Sequence, residues 1–460
     1  MTKLQKKKIT RKAKQSGFWY KLYVFHTLGD PEGQRSAIRP RTKVILGVCA
    51  AVFLLFIITY DFPSERELEK EPLARYAVGD PQFVRSIDNL LGPGLVEGNN
   101  IVTMLNGDQA FPAMLEAIRS AQKSITFESY IYLSGDIGKR FTHALVERAR
   151  AGVRVHLLLD SVGSGMVGIG SESELKKAGV DVVRYHRVFW TTVAKFNNRT
   201  HRKILIVDGK IGFTGGMGID DHWIGNADSP DHWRDTHFKV EGPVVAQMQA
   251  VFMDNWMETR GEVLDGEDYF PDLEKKGDIR AQVCMSSPKQ GSENARLLYL
   301  MSIAAARKSI LMSNAYFVPD ALSIKTLVHA SQRGVKISII APGKLTDTKS
   351  VRYASRSRWG DLLKAGVKIY EYQPTMFHCK VMIVDGMWTL VGSTNFDNRS
   401  FRLDDEINLD VLDEAFAKKQ TEIFYNDLSK SKLVTEQDWK QRSVGERLME
   451  LLAGLFHNQV

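Results

Sequence analysis

Cysteine is nearly absent, with three in 460 residues. Three thiols make no disulfide framework of the kind that staples small secreted domains. Cys49 falls in an apolar run, Cys284 carries no pattern of its own, and a Cys284–Cys379 bridge stays open. A dense grouping of His, Cys and carboxylates at metal-ligand spacing is also lacking, which disfavours a zinc centre. Basic excess is missing from most of the chain. The net charge is +8, yet twelve Lys or Arg against only Asp30 and Glu32 precede Val44, so that arm holds +10 and the remainder −2. A near-neutral body weakens the case for nucleic acid as a partner.

One long apolar run exists. Val44 to Tyr60 is seventeen residues without a charge, and as a helix it rises about 25 Å, the short end of a bilayer crossing. Bases lie before it and Asp61, Glu65 and Glu67 after it, which keeps the N-terminus in the cytoplasm. The expectation is a basic cytoplasmic arm over 1–43 and a single transmembrane helix over 44–60. The catalytic part then stands on the outer or periplasmic side of the cell (inner) membrane. A long n-region and the lack of a small-x-small site after Tyr60 disfavour a cleaved signal peptide. Phe18-Trp19-Tyr20 among the bases suits an anionic lipid surface or a topogenic tail. Residues 61–94, with Pro63, Pro72 and Gly79, read as linker and lead-in.

The rest of the chain says one thing twice. His201-Arg202-Lys203-Ile204-Leu205-Ile206-Val207-Asp208-Gly209 is matched by His378-Cys379-Lys380-Val381-Met382-Ile383-Val384-Asp385-Gly386. Fourteen residues after each His comes a small pair, Gly215-Gly216 and Gly392-Ser393. Asp-Gly between apolar runs is a hairpin signal. A strand's period of two puts His and Lys on one face, with Arg202 or Cys379 on the other. The echo extends further: Ala121-Gln122-Lys123-Ser124-Ile125 and Ala306-Arg307-Lys308-Ser309-Ile310 each lead into a strand ending in aromatics. Ala151-Gly152-Val153 and Arg333-Gly334-Val335 each open another. Strands alternating with helices mean an α/β fold, with one repeat over 95–262 and a second over 279–430. The tail 431–460 ends in leucines at helical spacing, a helix packed on the domain or lying on a membrane.

Each repeat offers half a site. Joined by a pseudo-two-fold axis, they give two imidazoles and two ammonium groups around one cleft. A neutral imidazole can attack phosphorus as a nucleophile. The other can protonate the leaving alkoxide and then take a proton from the incoming hydroxyl. Lys203 and Lys380 neutralise the non-bridging oxygens, and neither metal nor cofactor is required. Each imidazole needs a partner on its other nitrogen. Asp235 and Glu406, in matching strands 34 and 28 residues beyond their histidines, are the candidates. Asp208 and Asp385 belong to the motif and stand with the catalytic set, although a place at the hairpin turn points to a turn-forming or hydrogen-bonding role. Asn395 is a candidate donor to a phosphate oxygen, with Ser393, Gly215 and Gly216 beside it in the substrate-binding set.

The doubled His-x-Lys-x4-Asp resembles the phospholipase D superfamily. Asn198-Arg199-Thr200-His201-Arg202-Lys203, Phe213-Thr214-Gly215-Gly216, Trp233-Arg234-Asp235-Thr236-His237 and Gly392-Ser393-Thr394-Asn395-Phe396-Asp397-Asn398-Arg399-Ser400-Phe401 are similar to bacterial cardiolipin synthases of that type, over roughly 95–430. The resemblance implies two phospholipase D-like repeats sharing one active site, and a transphosphatidylation. One phosphatidylglycerol forms a phosphatidyl-histidine enzyme and releases glycerol, and a second accepts the phosphatidyl group. It also implies that His201 is the nucleophile and His378 the acid/base, a choice symmetry alone leaves open. Gly218 stands where relatives carry Asn, which puts one phosphate donor in question, and a single span departs from relatives with two or none.

Rival readings remain at this stage: a phospholipase D that hands the same intermediate to water, a metal-independent nuclease, and a catalytically silent scaffold. Tyr185-His186-Arg187-Val188-Phe189-Trp190 with Lys195 and Phe196 reads as an acyl-chain or headgroup lip or as loop packing. Arg352, Arg356 and Arg358 read as headgroup binders or a solvated helix face. The acceptor lipid and the oligomeric state are beyond reach.

Overall fold

Apolar strands alternating with amphipathic helices build one sheet twice over. The computed structural model describes residues 46–51, 53, 68–73, 75–165, 169–186, 197–288 and 293–454, in two units, Met1–Glu65 and Arg66–Val460. In the first unit residues 46–51 and 53 are helical. The arm over 1–43 and most of the expected span over 44–60 lie outside the described residues. Among the described residues no helix is long and apolar enough to cross a membrane.

In the second unit the first half contributes β1 (Val96–Leu105), β2 (Ser124–Ser129), β3 (Arg154–Asp160), β4 (Asp181–Tyr185), β5 (Arg199–Thr200), β6 (Lys203–Val207), β7 (Ile211–Gly215) and β8 (Thr236–Glu241). The second half contributes β9 (Ile279–Ser286), β10 (Ser309–Asn314), β11 (Phe317–Val318), β12 (Lys336–Pro342), β13 (Lys368–Tyr372), β14 (Lys380–Val384), β15 (Trp388–Gly392), β16 (Phe396–Asp397) and β17 (Asp404–Leu412), followed by β18 (Ser431–Val434). The path runs β4-β3-β2-β6-β7-β8-β1 and then β9-β17-β15-β14-β10-β12-β13-β18. Read outward from the β1–β9 junction, the two halves have the same order. That is the pseudo-two-fold, and β1 pairs antiparallel with β9 across it. The parallel pairs β2–β3–β4 and β10–β12–β13 take their crossovers through helices such as Asp136–Arg150 and Ala321–Gln332. Each parallel connection needs such a crossover.

The core explains why the halves do not separate. One apolar cluster spans both, placing Ile204, Val251 and Trp256 with Val283, Ile407 and Leu409. Helix Val244–Arg260 supplies Met248, Val251, Phe252 and Trp256 to it. Truncating a side chain such as Trp256 to Ala costs about 3–5 kcal/mol in cores of this kind.

Both Asp-Gly turns are hairpins. Asp208 and Gly209 have φ of 52° and 64°, Asp385 and Gly386 of 54° and 69°, the paired positive values of a type I′ turn. The aspartates are anchors. Asp208 accepts backbone N–H bonds from Gln122, Lys123 and Ser124, and Asp385 from Arg307, Lys308 and Ser309. Each therefore ties its hairpin to the start of the neighbouring antiparallel strand, β2 or β10. Their inclusion with the catalytic set is corrected accordingly: the carboxylates are consumed by backbone at the turn, a full strand away from the histidines.

Candidate active site at the seam

β6 and β14 deliver the histidines to the same edge of the sheet, just before each strand begins. His201 N–H donates to Asp405 O at 2.9 Å, and His378 N–H to Arg234 O at 2.7 Å. These bonds cross between the halves. β5 pairs parallel with β17 through Thr200 and Asp405, and Phe377 bridges Arg234 in the same way. The residue after each acceptor is the acid, so the carboxylates arrive crossed. His201 Nδ1 lies 2.9 Å from Glu406 Oε1, and His378 Nδ1 lies 2.7 Å from Asp235 Oδ2. Each imidazole is thus held by an acid from the other repeat, so neither half can orient its own histidine. A carboxylate on Nδ1 sets the tautomer and leaves Nε2 for chemistry.

The two acids are supported differently. Asp235 also takes Trp223 Nε1–H at 2.9 Å and its own neighbour's Thr236 N–H at 2.7 Å. Gly216 makes room for it, since a Cβ there would stand 2.2 Å from Asp235 Oδ1. At the matching place in the second repeat, Ser393 Oγ donates to Glu406 Oε2. Gly392 lies flat on the strand bearing that acid, where a Cβ would be 2.2 Å from Ile407 O. Gly215, at φ 148°, packs against Thr236 O in the same manner. Gly215, Gly216 and Ser393 therefore shape the acids' surroundings.

Lys203 Nζ and Lys380 Nζ each fold back onto the carbonyl of their own histidine, both at 2.7 Å. Lys380 Nζ also lies 3.1 Å from His378 Nε2. Tyr130 stacks edge-on to His201, its ring also facing Lys203 Nζ, while Trp223, Trp233 and Tyr316 surround His378. Both histidines, Lys203 and Asn395 line one cavity of about 430 Å³, together with Arg199, Arg399, Asp397 and Asp404. The Asn395 side-chain oxygen is buried there without a partner. Among the described residues no three His, Cys, Asp or Glu side chains form a group suited to a metal ion.

Burial and charge set the protonation states. Burial, reinforced by Lys203, Lys380 and His378, drives His201 well below the usual histidine value. His378 is also lowered by burial and by Lys380, but Asp235 pulls against that. Asp235 is lowered because His378, Lys380 and Trp223 outweigh its burial, whereas burial raises Glu406. So the two acids are shifted in opposite directions, the one behind His378 down and the one behind His201 up. Lys203 is pushed down to about 7 and Lys380 is also lowered, burial being the main cause for both. Asp397 and Asp404 rise to about 7 by burial, and both share the cavity lining with Arg199 and Arg399.

Some expectations concern residues placed elsewhere. Arg352 and Arg356 pair with Glu371, and Arg358 lines a separate cavity with Lys325 and Lys364. Of the aromatic stretch before the first motif only Tyr185 and His186 are described, with His186 between Asn198 O and Glu258; 187–196 lie outside the described residues. Cys379 is buried 3.5 Å from Thr236 Oγ1, and Cys284 and Cys379 are both free thiols. Gly218 has a physical reason: a Cβ there would meet Ile131 Cβ at 2.9 Å and the Trp223 ring at 3.3 Å, so Ile131 first, and the indole behind it, crowd any side chain. Sequence reasoning did not single out Trp223, Tyr130 and Tyr316. Tyr130 and Tyr316 sit just past β2 and β10, at the aromatic ends that the repeat had marked.

The chain matches the family described as cardiolipin synthase, phospholipase D-like domain, over residues 114–256 and 299–428. A cardiolipin synthase of Geobacillus kaustophilus is 35% identical over 355 residues, 76% of this chain and 70% of that one. A probable cardiolipin synthase of Bacillus subtilis, YwiE, is 35% identical over 360 residues, 78% of this chain and 72% of that one. The crystal structure of phosphatidylserine synthase from Haemophilus influenzae superposes with a TM-score of 0.62 at 12% identity, covering 82% of this chain and 99% of that one, a likeness of fold.

Proposed function

The chain belongs to the cardiolipin synthase family of phospholipase D-like phosphatidyltransferases, and from that premise we propose that it joins two phosphatidylglycerol molecules through a phosphatidyl-histidine. The carrying observation is the crossed pair: two imidazoles, each on a buried carboxylate from the opposite repeat, beside one cavity that Arg199, Lys203 and Arg399 also line. His201, kept neutral, attacks phosphorus with Nε2. An N–P bond forms and the bond to the glycerol headgroup oxygen breaks. His378, whose imidazolium Asp235 stabilises against the burial and the Lys380 charge that lower it, gives its proton to the departing glycerol. A hydroxyl of the second phosphatidylglycerol then returns a proton to His378 as its oxygen attacks phosphorus, the N–P bond breaks, and cardiolipin leaves. Lys203 and Lys380 hold charge on the non-bridging oxygens, and Asn395 donates its amide N–H to one of them.

The asymmetry of the two acids supports His201 as nucleophile, since a nucleophile must be unprotonated and an acid must hold its proton. We further place the protein in the cell membrane through a single span over 44–60, N-terminus in the cytoplasm; protease protection in spheroplasts tests it. The activity is tested by incubating the purified full chain with phosphatidylglycerol and resolving the lipids. Cardiolipin with equimolar glycerol is expected, absent in His201→Ala and His378→Ala. Phosphatidic acid as the only product would overturn transfer in favour of hydrolysis.

A further inference from the structure

The helix Val444–Gly454 is turned inside out. Its most buried side chain is Glu450, 2% exposed, held by Arg356 Nε at 3.3 Å and Arg442 Nε at 2.8 Å. Meanwhile Val444, Leu448, Leu451 and Leu452 are 83%, 54%, 64% and 47% exposed. A helix that merely covers a domain turns its leucines inward. This one docks by its charged side and leaves the apolar side out, at a spacing that keeps those side chains on one face.

Its place gives that face a use. The helix packs against Lys349–Ser357, whose Ser350 and Val351 line the catalytic cavity. Ala453 and Tyr316 both pack on the Val351 cluster, and Tyr316 also lines the cavity. Leu345, exposed, lies in the loop that brings Asp347 and Thr348 to the same mouth. The helix therefore stands directly behind an element that lines the entrance. Charge does not select the occupant: with Arg442 and Glu450 paired, Lys440 and Arg447 stand against Glu436, Asp438 and Glu446. The substrate does: a diacyl lipid must pass from bilayer to cavity along this edge.

We propose that Val444–Gly454 is an interfacial helix that seats the mouth of the active site in the surface of a phospholipid bilayer. The choice of lipid as occupant rests on the phosphatidyl-transfer reading. The test uses the full chain with Cys49→Ser and Leu452→Cys, labelled with an environment-sensitive fluorophore and reconstituted in phosphatidylglycerol vesicles. Emission moves to shorter wavelength and is quenched by bromines on the acyl chains. In parallel, Leu448→Asp with Leu451→Asp slows turnover in vesicles about tenfold and leaves turnover on monodisperse short-chain phosphatidylglycerol unchanged. A probe that stays in water overturns the proposal. So does a probe shielded by raising protein concentration without lipid, which would mean a second copy covers the face. Equal turnover of parent and double variant in vesicles also overturns it. Quenching in a parent chain that transfers nothing on either substrate counts against the transfer reading while supporting the seating.

Discussion

The two half-sites share a backbone and differ in their acids. His201 and His378 hang from the same hairpin, receive the same kind of cross-repeat bond, and keep a lysine folded on the same carbonyl. Behind them the symmetry breaks. Asp235 is short, ionised and braced by an indole and a backbone N–H, in a space that glycine clears. Glu406 is longer, shifted toward its neutral form by burial, and braced by a serine hydroxyl. A duplicated scaffold supplies equal positions, and unequal neighbours then make one imidazole a nucleophile and the other a proton carrier.

The sharpest way to break that comparison is to remove the rings one at a time. Either His201→Ala or His378→Ala is expected to lower transfer by about 10⁴-fold or more, as for residues that act as a unit. They separate on a phosphatidyl substrate with a nitrophenol leaving group, which departs without a proton. His378→Ala should still label at His201 by mass spectrometry, and His201→Ala should not label. Label on His378 in the His201→Ala chain would reverse the assignment.

Next come the acids. Asp235→Asn should cost about 10³-fold in kcat, because an amide there favours the wrong tautomer of the proton carrier. Glu406→Gln should cost about 10- to 100-fold, the usual loss for an orienting partner. Gly216→Ala should follow Asp235→Asn, since its methyl displaces that carboxylate, whereas Ser393→Ala should follow the milder loss. Equal losses at both acids would mean the asymmetry is structural only.

The pH profile sharpens the same point. His201 lies well below the ordinary histidine value, so it stays neutral as pH falls and the acid limb should lie below the usual histidine range. Lys203, pushed down to about 7 by burial, and His378, lowered below its ordinary value, both lose a proton as pH rises, so the alkaline limb should come far earlier than an ordinary lysine allows. Lys203→Arg, which keeps its charge, should move that limb upward while lowering the plateau. An unmoved limb would assign it to another group.

How much of this was legible follows from what a linear pattern can hold. The hairpins were readable because Asp-Gly fixes a turn within four residues, and the repeat was readable because spacing is conserved between two copies of one chain. The histidines and lysines stood out for the same reason. The crossing of Asp235 and Glu406 was not readable. Counting 34 and 28 residues from a histidine ties each acid to its own repeat, while the seam's parallel bridges at Thr200–Asp405 and Phe377–Arg234 join it to the other. Trp223 was equally hidden: it comes from a single 3-10 turn, Asp221–Trp223, and the second copy puts Ser400, a different residue type, beside its own acid. Its role exists only where the fold brings the indole to Asp235.

The smallest expected effect on chemistry belongs to the aspartates of the motif itself, and there the two copies should agree. Asp208 and Asp385 each accept three backbone N–H bonds at the same place in their half. Removing either acceptor costs about 2 kcal/mol, since those N–H groups are only partly shielded from water. Asp208→Ala and Asp385→Ala should therefore lower the thermal midpoint by similar amounts and leave kcat within about twofold of the parent at a temperature where both are folded. Unequal midpoints would show that the scaffold has diverged as far as the acids. A large, selective fall in kcat would return these carboxylates to the chemistry, and neither the turn geometry nor the backbone bonds would then account for them.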